Sequence, residues 1–224
     1  IKMGTREPVS DIAKVTSSIV DVIMARTFAH KTITDLAHSS SVPVINGLSD
    51  LEHPCQILAD LMTVYEVKKR LKGLSISYVG DGENNVVHSF ILASAVLGMN
   101  FSCGSPRGYE INKRVLKQAL KIVKKTKVKI KETSDPKEAV KNADVVVTDT
   151  WVSMGDEKEK AKRLKIFKPY QVNKSLMNLA KKNAIFLHCL PAYRGNEVNS
   201  EVIDGPQSVV FQEAENRLHA QKAL

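Results

Sequence analysis

The sequence predicts an α/β fold with parallel sheets that carry helices on both faces. Along its 224 residues, short apolar runs alternate with amphipathic stretches, and glycine and proline are scattered and not pooled into a linker. A hydrophobic fraction of 43% with 25% charged residues is typical of a globular protein. Strands separated by helices of about 10–15 residues form parallel sheets. Ligands on such sheets bind beyond the carboxyl ends of the strands.

The first third of the chain predicts two short buried strands with a helix between them, at Asp21–Arg26, Lys31–His38 and Pro43–Asn46. A long helix is expected next, over Glu52–Lys72. Pro54 lies in its first turn, where a missing N–H costs nothing, and Gly73 is a typical helix stop.

Beyond Gly73 the alternation becomes regular. Strands are predicted at Leu74–Val79, Met99–Cys103, Val128–Lys131, Asp144–Thr150, Ala184–Leu190 and Ser208–Phe211. Helices are predicted at Asn85–Leu97, Glu110–Lys125, Pro136–Asn142, Asn173–Lys182 and Glu213–Leu224. We therefore expect the chemistry in the loops that follow Val79, Thr150 and Leu190.

The net charge of +9 suggests an anionic partner, but the excess is local. Between Asn112 and Lys131 there are nine basic residues and no acidic one. Apolar residues recur there every four positions, at Ile111, Val115, Ala119 and Val123. The run contains one arginine and no aromatic residue, whereas a nucleic-acid surface usually has both types. A solvated helix face is therefore favoured over a nucleic-acid-binding patch.

Composition also bears on compartment and metal content. No apolar run approaches the roughly 20 residues that span a bilayer, and no signal-peptide pattern opens the chain. The three cysteines, Cys55, Cys103 and Cys189, are odd in number and far apart, which indicates a reducing, cytoplasmic location. No CxxC or HxxxH spacing occurs, so no structural zinc is expected. The first residue is Ile1, so we expect a piece of a longer polypeptide.

The segment Gly80–Asn85 (GDGENN) follows a predicted strand and opens a predicted helix. Free N–H groups at such a position attract anions. The dinucleotide pattern GxGxxG is not satisfied, because its third glycine position holds Asn85, and no acidic residue follows about 20 residues later. The asparagine amides suit the carboxylate of a small amino acid. The structural alternative is that Asn84 or Asn85 only caps the helix.

Two further strand ends carry polar side chains. Asp149 can hold an ammonium group, with the hydroxyl of Ser153 nearby, and the alternative is an Asx-turn with Trp151 in the core. The His188–Pro191 segment (HCLP) ends the next predicted strand. Its cysteine, Cys189, is either a nucleophile or, more commonly, a buried and inert thiol.

The start of the long helix and the end of the first strand add candidates for anion contact. His53 and Gln56 lie one turn apart and can both face an anionic ligand, although such a histidine is more often a surface residue. Arg26 is the last residue of the first predicted strand, and its guanidinium matches the oxygens of a phosphate or a carbonyl.

Taken together, these segments resemble the signatures of the ornithine carbamoyltransferases. The matching segments, in the family's order and spacing, are SDLEHPCQ, GDGENN, DTWVSMG, HCLPAYRG and EAENRLHAQ. GTREPVSDIAKV and MARTF near the start fit the same family, so the resemblance covers the whole chain. HCLP together with SMG is specific for the ornithine branch.

This resemblance implies transfer of a carbamoyl group from carbamoyl phosphate to the δ-amino group of L-ornithine, which gives L-citrulline and phosphate in arginine metabolism. It implies carbamoyl phosphate contacts from Arg26, His53, Gln56, Cys189, Leu190 and Arg217. Three of these would be catalytic: Arg26, His53 and Cys189. Ornithine would be held by Asn85, Asp149, Ser153 and Met154. No metal or organic cofactor, nucleic acid or membrane is expected.

The resemblance also implies a two-domain carbamoyltransferase architecture with the first domain incomplete. Residues 1–72 would be the later half of the carbamoyl-phosphate-binding domain with a linking helix. Residues 73–205 would be the ornithine-binding domain, and 206–224 a helix that returns to the first domain. A homotrimer or a multiple of trimers is expected.

Three departures from the family pattern are visible. The Ser-Thr-Arg-Thr phosphate segment is absent, so the chain alone is expected to be inactive. Glu83 is an extra residue against the usual GDGNN, and Tyr193 stands where many relatives have histidine. Three alternatives remain open: a carbamoyltransferase for another amine such as putrescine, a nicotinamide-dependent dehydrogenase, and a non-catalytic nucleic-acid-binding protein.

Overall fold

The computed structural model describes residues 5–153, 155 and 157–224. The chain divides into two compact units, one that ends at Cys55 and one that begins at Gln56. The strands are β1 Ile23–Arg26, β2 Val44–Leu48, β3 Ser75–Val79, β4 Asn100–Gly104, β5 Ile130–Thr133, β6 Val145–Val147 and β7 Ile185–Leu187. The helices are α1 Val9–Ser17, α2 His30–Ser39, α3 Pro54–Lys68, α4 Asn85–Leu97, α5 Lys113–Thr126, α6 Pro136–Val140, α7 Lys160–Phe167, α8 Lys174–Met177, α9 Ser200–Ile203 and α10 Val210–Ala223.

The first unit is a small α/β layer. Its strands β1 and β2 are parallel, with Ile23 opposite Val44. A core of buried apolar side chains lies between these strands and the helices α1 and α2, and it consists of Ala13, Ala25, Ile33 and Leu36. Arg26 is the last residue of β1 and its side chain is exposed, so the strand places a solvent-exposed guanidinium at its carboxyl end.

The second unit contains a five-stranded parallel sheet in the order β5-β4-β3-β6-β7. The central strand β3 (SISYV) and its neighbour β6 (VVV) are almost wholly buried, as is usual for strands of a parallel sheet that is covered on both faces. Helix α4 is also buried on most of its surface and packs against α5 and β4. The α/β class with parallel sheets is therefore confirmed.

The boundaries differ from the sequence expectations in several places. The predicted strand Ser208–Phe211 is wrong, because Ser208 forms only an isolated bridge to Phe186 and α10 already begins at Val210. The long helix expected to reach Lys72 ends at Lys68, and Lys69 takes a left-handed φ of 60°. Helix α8 is shorter than its predicted range, and α1, α7 and α9 were not predicted.

The strand order determines which loops meet. Strands β3, β6 and β7 are neighbours, and all three run in the same direction. The segments that begin at Gly80, Thr148 and His188 therefore emerge at one edge of the sheet. Within the part of the chain that the structure describes, no helix is long and apolar enough to cross a membrane.

Candidate active site

Asp149 is the centre of the polar cluster at this sheet edge. It follows β6 and is 7% exposed. Its Oδ2 accepts a hydrogen bond from Asn84 Nδ2 at 2.8 Å, and its Oδ1 accepts one from Cys189 Sγ at 3.1 Å. The Asx-turn alternative therefore does not describe its contacts, since both carboxylate oxygens face groups from other strands. The structure brings the predicted Asp149 and Cys189 together.

Asn84 holds two roles that the sequence analysis treated as alternatives. Its Oδ1 accepts from the N–H of Val86 at 2.7 Å, which caps α4. The same amide's Nδ2 donates to Asp149 and, at 3.4 Å, to Ser153 Oγ. Capping fixes the amide so that its donor side faces the cluster. The sequence analysis named Asn85 as the ornithine contact, and Asn85 is the half-buried first residue of α4. The contact with the cluster described here comes from Asn84, the residue before it.

The loop that carries Asn84 is shaped by its neighbours. Gly82 leaves no room for a side chain, because an added Cβ would lie 2.5 Å from Tyr109 O. Glu83, the extra residue, is exposed, and its N–H donates to Asp81 Oδ1 at 3.0 Å. Asp81 also accepts from Arg163 Nη1 at 2.6 Å. The side chains of this ion pair are 3% and 5% exposed, so a buried charge pair ties the loop to α7.

Ser153 and Met154 lie in the segment that follows Asp149. Ser153 is half-buried and accepts from Asn84, as described above. Met154 lies outside the described residues. Trp151 is buried and stacks on Phe167 with a centroid separation of 6.1 Å, which agrees with its predicted core position.

The thiol of Cys189 is a hydrogen-bond donor in this cluster. Burial, with Asp149 beside it, raises the pKa of Cys189 well above its ordinary value. A thiol that stays protonated is a poor nucleophile, because the thiolate is the reactive form. The geometry therefore favours a Cys189 that orients Asp149 over one that forms a covalent intermediate.

His188 links the end of β7 to the loop that follows it. Its Nδ1 accepts from the N–H of Leu190 at 2.9 Å, so its Nε2 carries the proton towards Glu197 Oε1 at 3.2 Å. Glu197 is fully buried and also accepts from the N–H of Tyr193 at 2.6 Å. Leu190 has a left-handed φ of 54°. These bonds hold the backbone of Cys189 and Leu190 in one conformation.

Asp149, His188 and Cys189 also form a group that could hold a metal ion, with one donor atom from each lying within 4.8 Å of the others. The hydrogen bonds described above already use Cys189 Sγ and both nitrogens of His188. A metal ion would have to break them. The arrangement suits proton-bearing groups better than metal ligands.

Gln56 lies in a buried polar seam between α3 and α10. Its Nε2 donates to Asp60 Oδ1 at 2.8 Å and to Glu213 Oε1 at 3.1 Å. Its Oε1 accepts from Arg217 Nη1 at 2.6 Å. The seam thus connects Gln56 and Arg217, which the family resemblance implied as carbamoyl phosphate contacts. The seam also contains two carboxyl groups that the sequence analysis did not identify.

The two carboxyl groups of the seam are protected from solvent. Asp60 and Glu213 are each 1% exposed. Burial raises the pKa of Asp60 to about 7, although its hydrogen-bond contacts with Glu213 and Gln56 lower it. Burial, with the charge of Asp60 beside it, raises the pKa of Glu213 well above its ordinary range. Glu213 Oε2 also accepts from the N–H of His188 at 2.9 Å, so the seam reaches the end of β7.

A cavity of about 310 Å³ lies beside the segment that follows β6. Its lining includes Trp151, Ser153, Tyr193 and Glu197. Within the described residues, Glu197 Oε2 has no hydrogen-bond partner. The cavity is therefore lined by an acidic residue and a tyrosine as well as by the serine of the cluster.

The remaining predicted residues, Arg26 and His53, belong to the first unit. His53 is 7% exposed and precedes α3. The segment before it is held by Ser49, whose Oγ lies 2.8 Å from His30 Nδ1, and by Asp50, whose Oδ1 accepts from the N–H of His30 at 2.8 Å. His53 is therefore buried, and the alternative that it is a surface residue is wrong.

The sequence analysis did not identify three buried carboxyl groups: Asp60, Glu213 and Glu197. Asp60 was detectable in principle, since Gln56, Asp60 and Thr63 form a polar stripe at helical spacing on a buried face. Nothing in the spacing of Glu213 or Glu197 reveals their burial.

Comparison with known proteins gives matches over most of the chain. A family model described as aspartate/ornithine carbamoyltransferase, Asp/Orn binding domain, matches residues 72–224. A second model, for the carbamoyl-P binding domain of the same family, matches residues 1–66.

Individual relatives agree with the family models. The chain is 55% identical over 224 residues to an ornithine carbamoyltransferase of Bacillus thuringiensis subsp. konkukian, with 100% of this chain and 70% of the relative covered. It is 56% identical over 223 residues to the ornithine carbamoyltransferase of Carboxydothermus hydrogenoformans, again with 100% of this chain and 71% of the relative covered.

Solved structures give the same result. The ornithine carbamoyltransferase from Pyrococcus furiosus superposes with a TM-score of 0.95 at 51% identity, covering 100% of this chain and 71% of that one. An anabolic ornithine carbamoyltransferase from Campylobacter jejuni gives 0.94 at 40% identity, with 100% and 74% covered.

Proposed function

The chain belongs to the aspartate/ornithine carbamoyltransferase family, and we propose that its polar clusters bind the two substrates of the ornithine reaction. In that reaction the carbamoyl group of carbamoyl phosphate moves to the δ-amino group of L-ornithine, which yields L-citrulline and phosphate. The observation that carries the proposal is the buried carboxylate of Asp149, held by Asn84 and Cys189 at one sheet edge.

The Asp149 cluster suits the α-amino acid end of ornithine. A buried carboxylate that faces hydrogen-bond donors is suited to an α-ammonium group, and charge-assisted hydrogen bonds of this kind are strong. We propose Asn85 as the amide donor for the α-carboxylate, at the start of α4, where the helix dipole adds a favourable field, and Asn84 as the amide that orients Asp149. Ser153 and Met154 would line the same subsite.

The reaction itself requires a neutral amine, a carbonyl carbon and a leaving phosphate. The δ-amine attacks the carbonyl carbon, negative charge builds on the carbonyl oxygen, and the bond to the phosphate oxygen breaks. We propose that Arg26 and His53 donate to that oxygen, because donors aimed at developing charge are usually the largest catalytic contribution. Gln56 and Arg217 would hold the carbamoyl and phosphate ends, and Cys189 and Leu190 would lie beside the carbamoyl amide. No step requires a metal or an organic cofactor.

The putrescine alternative is disfavoured by the same cluster. Putrescine has no α-carboxylate and no α-ammonium, so an enzyme for it would have no use for a buried Asp149 beside an amide donor and a serine hydroxyl. The dehydrogenase alternative lacks the third glycine of its phosphate loop, since Asn85 occupies that position.

The domain roles, assembly and location are part of the proposal. We assign residues 1–72 to carbamoyl phosphate, 73–205 to ornithine and 206–224 to the returning helix, which is supported by family models at 1–66 and 72–224. A trimer-based assembly, a role in arginine metabolism and a cytoplasmic location follow from the family resemblance. None of the three cysteines, all of which the structure describes, forms a disulfide, which fits a reducing compartment.

The test is an assay of the carbamoylated product of the complete enzyme that contains this chain, citrulline from ornithine and N-carbamoylputrescine from putrescine. Ornithine and putrescine are offered at equal concentrations with saturating carbamoyl phosphate. We expect kcat/KM for ornithine to exceed that for putrescine by at least 100-fold, and a preference for putrescine would refute the proposal. A gel-shift titration with DNA at low and high salt checks the nucleic-acid alternative, for which we expect no salt-sensitive retardation.

A further inference from the structure

The amide of Gln56 makes hydrogen bonds in only one orientation. Its Nε2 faces Asp60 Oδ1 and Glu213 Oε1, and its Oε1 faces Arg217 Nη1. A rotated amide would place its oxygen against two carboxyl groups and its NH₂ against a guanidinium. Both contacts would then be repulsive, so the surrounding charges fix the orientation.

The two carboxyl groups are close enough to each other to interact directly. Both accept from Gln56 Nε2, at 2.8 Å for Asp60 Oδ1 and 3.1 Å for Glu213 Oε1, so the two carboxyl groups converge on one nitrogen. Two ionised carboxyl groups held this close would repel, and one proton on the pair removes that repulsion. Each is 1% exposed, so water cannot screen that repulsion.

From this geometry we propose that Asp60 and Glu213 share one proton and act as positioning residues, which orient Gln56 towards carbamoyl phosphate and anchor the strand end that carries Cys189. The inference rests on the proposed function for the identity of the ligand, but the shared proton does not depend on it. Neither residue is among those that the family resemblance implies as substrate contacts.

Other charged groups around the pair support this arrangement. Arg217, on α10, is the cation that faces the pair, whereas Asp149 from the end of β6 adds negative charge. Cys189 is near enough for the pair to raise its pKa. With one proton retained, the pair carries a single negative charge, which the positive charge of Arg217 balances.

The pair also contacts the backbone at the end of β7. Glu213 Oε2 accepts from the N–H of His188, directly before Cys189. One carboxyl group thus contacts both Gln56 on α3 and the end of β7. Displacement of Glu213 would disturb the two sides of the carbamoyl subsite together.

Conservative substitutions distinguish the effect of the shared proton from the effect of side-chain size. In Asp60→Asn, the new amide can donate to Glu213 and its oxygen can still accept from Gln56 Nε2, so the variant imitates a protonated Asp60. In Glu213→Gln, both carboxyl oxygens already accept N–H groups, and the new NH₂ must face one of those donors. Asp60→Ala removes the contact altogether. Glu66→Gln is the matched control, because Glu66 lies on the same helix but accepts from Gln212 and Asn216.

The experiment measures KM for carbamoyl phosphate in the complete enzyme, with circular dichroism to check that each variant folds. We expect Asp60→Asn and Glu66→Gln to stay within about threefold of wild type. Asp60→Ala and Glu213→Gln should raise KM at least tenfold, which corresponds to the loss of about one hydrogen bond. If folded Asp60→Ala has a wild-type KM, or if Asp60→Asn is as impaired as Asp60→Ala, the proposal is overturned.

Infrared spectroscopy tests the proton directly and does not need activity. We expect wild type at pH 6, below the pKa of about 7 for Asp60, to show a protonated-carboxyl stretching band that Asp60→Asn lacks, because the remaining carboxyl group ionises. Identical bands in the two proteins would overturn the shared proton. If wild type formed no citrulline, the proposed function would fail, and the infrared comparison would still decide the inference.

Discussion

Asp149→Asn isolates the contribution of one buried carboxylate to ornithine binding. The substitution keeps the size of the side chain and removes its charge. Asp149 accepts from Asn84 Nδ2 through one oxygen and from Cys189 Sγ through the other. The new NH₂ must face one of these donors, so the cluster also loses a hydrogen bond, at a cost of about 1–3 kcal/mol of folding stability.

The larger effect is expected on the substrate. Removal of one member of a buried, hydrogen-bonded charge pair costs about 2–5 kcal/mol of binding free energy. With about 1.4 kcal/mol for each tenfold change, KM for ornithine should rise about 30-fold to several thousand-fold. KM for carbamoyl phosphate should change by less than about threefold, since Asp149 is assigned to the other substrate.

The assay is steady-state citrulline formation, with each substrate varied in turn while the other is saturating. Asp144→Asn is the matched control. Asp144 is a buried aspartate that directly precedes β6, and it accepts from the N–H of Ser75 at 2.9 Å and from Lys181 Nζ at 2.8 Å. It should lower stability without selective loss of ornithine affinity. Equal increases in both KM values for Asp149→Asn would refute the assignment of Asp149 to ornithine.

Further predictions concern the carbonyl-oxygen donors, the buried ion pair, the shared proton and the isolated chain. Arg26→Ala and His53→Ala should each lower kcat about 100-fold or more through lost stabilisation of the carbonyl oxygen, and a wild-type kcat with only a changed ornithine KM would assign that residue to the wrong substrate. Arg163→Met removes the cation of the buried Arg163–Asp81 ion pair, so urea unfolding should show a loss of about 3–5 kcal/mol, and a loss below about 1 kcal/mol would contradict this. The native pKa of Asp60, about 7, lies above its ordinary 3.8, so the native state binds more protons between these values and stability should fall as pH rises from about 4 to 7. Asp60→Asn should flatten that part of the stability profile, and an unchanged slope would count against the raised pKa. The 224-residue chain alone should form no measurable citrulline, because its sequence lacks the Ser-Thr-Arg-Thr segment, and robust turnover would require a different phosphate site.

The sequence was informative wherever a strand end could be recognised. Asp149 and Cys189 follow short valine-rich or apolar runs, and parallel topology requires such ends to meet at one edge. The choice between Asn84 and Asn85 was not decidable, because either can begin a helix and the extra Glu83 alters the loop. Which amide turns inward depends on the cap hydrogen bond to Val86.

Other features depend on contacts between distant parts of the chain. The four-residue run Ser208–Phe211 suits a strand or a buried helix start equally, and only packing decides between them. Asp60 and Glu213 are 153 positions apart, and no local pattern predicts that both are buried together. Their pairing is a property of the folded sheet and its flanking helices.

The seam between α3 and α10 has a consequence for synthesis of the protein. Gln56 is translated 157 residues before Glu213, its hydrogen-bond partner. At about 5–20 residues per second, the ribosome needs roughly 8–30 s to cover that distance. During this interval the polar stripe of α3, which also includes Asp60 and Thr63, has no α10 to pair with and remains hydrated or held by a chaperone. Gln56 acquires its final orientation only when the last helix has been made.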